Sequence, residues 1–166
     1  TMHGSQFRGW MEGEHVVESE DVLRLPTSYY GPDSAVGMVL SRRGEHAYAS
    51  VPRRPLRIGM IGLGAGVACA YAKPGDYVRY YEINPEVGRL ANEYFTFLDD
   101  ARARKAQVDI EYGDARVVLE REIQQNKAQD LDVLIVDAFN SEAPPLHLIT
   151  REALDVYWKH LKPDGV

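Results

Sequence analysis

The sequence predicts an α/β fold, a doubly wound and mostly parallel sheet, preceded by a small antiparallel β region. Three observations carry that expectation. After residue 55, short apolar runs alternate with amphipathic stretches, the pattern of strands linked by helical crossovers. The first such strand runs into the glycine-rich turn Gly62-Leu63-Gly64-Ala65-Gly66. Before residue 55 the texture differs, with short β-prone pieces separated by the turn-rich "LPTSYYGPDS". The chain divides accordingly into a small N-terminal β region over residues 1–54 and a doubly wound domain over 55–166.

Taken in order, "EHVVES", "AVGMVLS" and "EHAYASV" supply the β pieces of the first region. "LRIGMIG" (56–62) is the first strand of the main sheet, followed by a helix from about Val67. "YVRYYEI" (77–83) is the second strand. The helix over "PEVGRLANEYF" (85–95) rests on Val87, Leu90, Ala91 and Tyr94, which share one face at i, i+3, i+4 and i+7. "VDIEYG" (108–113), a helix near 115–125, and the strand "DVLIVDAF" (132–139) come next. A helix over "TREALDVYWKHL" (150–161) closes the series, with Thr150 as N-cap and Glu152 in its first turn.

With 166 residues, 45% hydrophobic and 27% charged content, the chain matches one ordinary domain with a real core. No apolar run reaches the roughly 18 residues of a membrane helix. The net charge of −6 points away from nucleic acid and is compatible with a cationic small substrate. Cys69, the single cysteine, cannot form an internal disulfide and reads as a small core residue, and a reducing cytoplasm is the simplest address. Both ends read as cut: the chain opens on Thr1, and Lys162-Pro163-Asp164-Gly165 is turn chemistry after which another strand is expected.

In a doubly wound sheet, ligands sit beyond the carboxyl ends of the strands, and those ends are informative here. The glycines at 62, 64 and 66 let backbone N–H groups approach a ligand at the start of the next helix. Glu82 ends the second strand twenty residues after Gly62, where an acid accepts hydrogen bonds from both ribose hydroxyls. The dinucleotide fingerprint G-x-G-x-x-G is not met, because Val67 stands at the third glycine position. A G-x-G-x-G turn with a strand-end acid instead resembles the class I S-adenosylmethionine-binding, Rossmann-like fold. Asp114 follows the third strand; it is suited to cap the next helix and, in that fold, to accept a hydrogen bond from the adenine amino group.

Six segments together, "HGSQF" (3–7), "YYGPDSAVG" (29–37), "GLGAG" (62–66), "YEINPEV" (81–87), "GDAR" (113–116) and "VDAFNSEAPPLHLITREA" (136–153), resemble spermidine synthase-like proteins. The resemblance is strongest to the branch often fused to membrane segments and runs from about Gly4 to the end. It implies aminopropyl transfer from decarboxylated S-adenosylmethionine to a polyamine such as putrescine, without a metal. On that resemblance Asp137 matches the aspartate that helps deprotonate the attacking amine, and Gln6 matches a glutamine on the nucleoside side of the donor. Tyr29 or Tyr30 falls where the family has a tyrosine near the polyamine, although both also suit packing of the β region on the sheet. His3 and His147 lack a second metal-type ligand at a recognisable spacing and read as structural or incidental.

Two positions depart from the family. Ala65 stands where spermidine synthases carry an aspartate for the donor's amine, and Asn140 stands where a second aspartate helps hold the polyamine. Each removes a negative charge from a site for cations. Methyl transfer from S-adenosylmethionine, and a non-catalytic nucleoside-binding domain, therefore stand beside aminopropyl transfer. The partners expected are a polyamine or other small amine, with no nucleic acid, no membrane in this chain, and a homodimer as one option.

Overall fold

The computed structural model describes residues 5–7, 9–12, 15–42, 54–139 and 143–166. The strand expected over "EHAYASV", together with His3 and Asn140, lies outside the described residues.

Two short strands, β1 (Gly9–Glu12) and β2 (His15–Glu18), pair antiparallel and are followed by a single turn of helix, α1 (Glu20–Leu23). The expected strand over "AVGMVLS" is instead a helix, α2 (Ala35–Arg42). The physical reason is a cap: the Ser34 hydroxyl accepts the Gly37 N–H at 2.9 Å while its carbonyl accepts that of Met38 at 2.8 Å. Gly37 and Leu40 then face inward, three residues apart. Gly37 is also where the helix comes closest to the rest of the chain, since a Cβ there would lie 2.2 Å from the Gly31 carbonyl oxygen.

The main sheet is parallel and four-stranded, in the order β5-β4-β3-β6, with β3 Arg57–Ile61, β4 Tyr77–Glu82, β5 Gln107–Tyr112 and β6 Val133–Val136. The connection from β3 to β4 is a five-residue 3-10 turn, Val67–Tyr71, where a helix from about Val67 is expected. Between β4 and β5 run α3 (Pro85–Tyr94) and α4 (Phe97–Ala103), the second of which the sequence pattern did not indicate. α5 (Ala115–Gln124) follows β5, and α6 (Arg151–His160) follows β6.

Strand alternation separates two cores. Ile58, Met60, Val78 and Tyr80 face one side and pack with Tyr30, Leu40, Phe97 and Leu98. Ile61 and Tyr81 face the other, against Val118 and Leu119 of α5 and Ala153 and Tyr157 of α6. This is the doubly wound arrangement expected from the alternating pattern. Cys69 is fully buried, and burial pushes its thiol up to about 11.

Candidate active site

The carboxyl edge of the sheet is assembled by hydrogen bonds that continue one residue past each strand. Gly62 N–H donates to the Tyr81 carbonyl, Gly113 N–H to that of Glu82, and Asp137 N–H to that of Ile61, each at 2.9 Å. Gly62, Glu82, Gly113 and Asp137 therefore stand side by side. Because β3 is followed to one side by β4 and flanked on the other by β6, the strand order reverses at this edge, where a crevice opens. The crevice is a cleft of about 740 Å³.

The glycine turn supplies its floor. Gly62, Gly64 and Gly66 have φ of 98°, 53° and 77°, a region that favours glycine. Gly62 has a second reason: a Cβ would lie 2.5 Å from the Asp137 carbonyl oxygen, so the bare backbone is what lets the ends of β3 and β6 meet. Gly64 and Ala65 line the cleft. Gly66 does not; its α carbon faces Leu98, and it begins the 3-10 turn.

Glu82 is 7% exposed and lines the cleft. Its two carboxylate oxygens accept the N–H groups of Leu63, at 3.0 Å, and Asn84, at 2.9 Å. The acid thus ties the glycine turn to the start of α3, where Asn84 in turn caps the helix through the Glu86 N–H. Each carboxylate oxygen retains acceptor capacity beyond one bond.

Asp114 caps α5 as the sequence indicates, accepting the Val117 N–H at 3.1 Å. Its other oxygen lies 2.8 Å from His147 Nε2. His147, read from the sequence as structural or incidental, lines the cleft. The only sequence signal was its place in the segment "PPLHL" after β6.

Asp137 is met by two tyrosines from more than a hundred residues earlier. The hydroxyls of Tyr29, at 3.1 Å, and Tyr30 both donate to Oδ2. Burial and the Asp137 carboxylate raise the phenol of each tyrosine above its ordinary value, which keeps both protonated as donors. Their rings lie 4.8 Å apart. Tyr30 is buried in the core and its carbonyl accepts the Tyr71 hydroxyl at 2.5 Å, whereas Tyr29 is half-exposed and lines the cleft.

Gln6 does not line the cleft. Its amide nitrogen donates to the Leu23 carbonyl and the Thr96 hydroxyl, both at 2.7 Å, and its oxygen accepts the Thr96 N–H at 3.0 Å. It clamps the N-terminal segment to the turn between α3 and α4. The apolar walls are Ile83, 70% exposed, with Leu90, Phe139 and Leu148. Glu82, Asp114 and Asp137 are the cleft's carboxylates, and among the described residues no Lys or Arg lines it. Among the described residues no cluster of three or more His, Cys, Asp or Glu could hold a metal, and no helix is long and apolar enough to cross a membrane.

This topology and edge define the class I S-adenosylmethionine-dependent methyltransferase fold. An S-adenosylmethionine-dependent methyltransferase from Agrobacterium tumefaciens shares it, with a TM-score of 0.52 at 19% identity over 78% of this chain and 40% of that one. Within this class the chain is a relative of the polyamine aminopropyltransferases: it is 38% identical over 116 residues to the polyamine aminopropyltransferase of Vibrio vulnificus (strain CMCP6). The match takes in 68% of this chain, which spans about a third, 36%, of that relative's length. Spermidine synthase from Thermotoga maritima aligns over 79% of this chain and 39% of its own length at 22% identity, with a TM-score of 0.45, too low to add to the fold. No family model matches the chain.

Proposed function

We propose that the chain is the donor-binding part of a transferase that moves an aminopropyl group from decarboxylated S-adenosylmethionine to a small amine, with Asp137 as the base. The observation that carries this reading is the charge of the cleft: three carboxylates and, among the described residues, no Lys or Arg. A pyrophosphate needs cations or free helix N-termini, whereas a sulfonium and an amine need the reverse.

The residues fit such a donor. Glu82 accepts the ribose hydroxyls with the acceptor capacity its two backbone bonds leave, Asp114 accepts from the base, and Ile83 and Leu148 offer apolar surface to it. The bound sulfonium supplies a carbon that a neighbouring amine can attack, with a neutral thioether leaving. The chain's own task is to orient that amine and take its proton. Tyr29 and Tyr30 hold Asp137 by donating to Oδ2, which fixes where the carboxylate receives the proton. A cytoplasmic address accords with the single, buried Cys69.

Methyl transfer is favoured by one specific observation, the uncharged Ala65 lining the cleft at the glycine turn. The test is turnover of decarboxylated S-adenosylmethionine with putrescine, spermidine and longer amines, beside binding of methylthioadenosine and S-adenosylhomocysteine. Aminopropyl transfer predicts amine-dependent turnover, tighter binding of methylthioadenosine, and a loss of about 10² to 10⁴ in rate for Asp137→Asn with donor affinity kept. Tighter binding of S-adenosylhomocysteine with no turnover on any amine would overturn it in favour of methyl transfer. An active Asp137→Asn would overturn the base assignment.

A further inference from the structure

His147 contacts a carboxylate that the reading above places against the nucleoside base, yet that reading gives it no task. The imidazole is presented by a fixed piece of backbone. It sits in the 3-10 turn Leu146–Leu148, whose Leu148 is buried between α5 and α6. The His147 carbonyl accepts Arg116 Nη1 at 3.2 Å, and the Leu148 carbonyl accepts the Tyr157 hydroxyl at 3.0 Å. Held from both sides, the turn aims Nε2 at Asp114 Oδ2, 2.8 Å away. Asp114 is fixed at its other oxygen by the Val117 N–H. An ionised carboxylate only accepts, so the imidazole nitrogen in this pair carries the proton and donates.

We propose that His147 is a specificity-determining positioning residue, which by donating to Asp114 keeps that carboxylate an oriented acceptor and so selects a base with an amino group over one with a carbonyl at the same place. The inference rests on the reading of the cleft as a nucleoside site. A carboxylate held at both oxygens cannot turn away, and a group that only accepts has nothing to offer a carbonyl oxygen. The ligand class selected is an adenine nucleoside over a hypoxanthine nucleoside.

The experiment is calorimetric titration of the full-length protein with methylthioadenosine and methylthioinosine, for wild type, His147→Ala, His147→Gln and Asp114→Asn, with thermal melts of each. His147 is half-exposed, and Asn remains a good helix cap at 114, so all four are expected to fold. Wild type is expected to prefer methylthioadenosine. His147→Ala should weaken methylthioadenosine binding about tenfold while changing methylthioinosine binding less than about twofold, and the Gln variant should recover most of the loss because its amide can donate. Asp114→Asn should abolish the preference. Discrimination that depends on Asp114 but is the same in His147→Ala as in wild type would overturn the role of His147 and leave the nucleoside site standing. A wild type that binds neither nucleoside would overturn the functional reading, and the assignment with it.

Discussion

Replacing Glu82 by Gln tests two roles of one side chain. In the folded protein the carboxylate accepts two backbone N–H groups, of Leu63 and Asn84, at 3.0 and 2.9 Å, from a position only 7% exposed. An amide has one oxygen, so in either orientation one of those N–H groups faces an NH2 and goes unpaired. An unsatisfied buried donor costs about 1–3 kcal/mol. For a folded unit of this size each kcal/mol lowers the melting temperature by about 2–4 °C, so the expected drop is about 2–12 °C. The second role is read in the ligand. On the proposed ribose contact, loss of the charged acceptor should remove about 1.5–3 kcal/mol, a weakening of methylthioadenosine binding of about 10- to 150-fold. Scanning fluorimetry measures the first and calorimetry the second. An unchanged melting temperature would refute the clamp between the glycine turn and α3. A lowered melting temperature with unchanged affinity would keep the clamp and refute the ribose contact.

Gly62→Ala should be among the most damaging substitutions in the chain: φ of 98° costs a side chain about 1–3 kcal/mol, and the new Cβ would lie 2.5 Å from the Asp137 carbonyl oxygen. Melting at wild-type temperature with wild-type turnover would show that the ends of β3 and β6 do not need that contact. His160 predicts a pH dependence of stability. It is fully buried, accepts the Gln129 N–H at Nδ1 and contacts the Leu119 carbonyl at Nε2. Burial lowers its pKa below the ordinary 6.5, so between the two values the unfolded chain binds a proton that the folded chain does not. Stability is therefore full above about pH 6.5 and falls as the pH drops below it, and His160→Gln should flatten that slope. Urea unfolding from about pH 7.5 to 5.5 measures it, and identical slopes for the two proteins would refute the assignment.

The strand-end residues were legible because their signal is local. A glycine turn, an acid twenty residues on and an aspartate before a helix each declare themselves within a few positions, and Gly62, Gly64, Glu82, Asp114 and Asp137 all line the cleft. What was not legible depends on distant partners. Nothing in "SYYGPDS" shows that Tyr30 will reach Asp137, 107 residues away, or that "PPLHL" will bring His147 to Asp114, 33 residues back. α2 was misread because Val36, Val39 and Leu40 suit a strand as well as a helix, and Ser34 as the cap decides between them. Nor does the sequence around Gln6 show that its amide will be engaged by Thr96 and Leu23, away from the cleft lining.

The charge of the cleft bears on traffic as well as on recognition. A mouth lined by carboxylates draws cations in by long-range attraction, so association of a cationic donor should slow as salt is raised toward a Debye length of about 10 Å or less. The proposed transfer would convert a sulfonium into a neutral thioether, and the field that hastens entry of a cation would have no hold on what leaves. On the proposed reaction, salt should therefore slow capture of the donor while leaving the escape of methylthioadenosine unchanged.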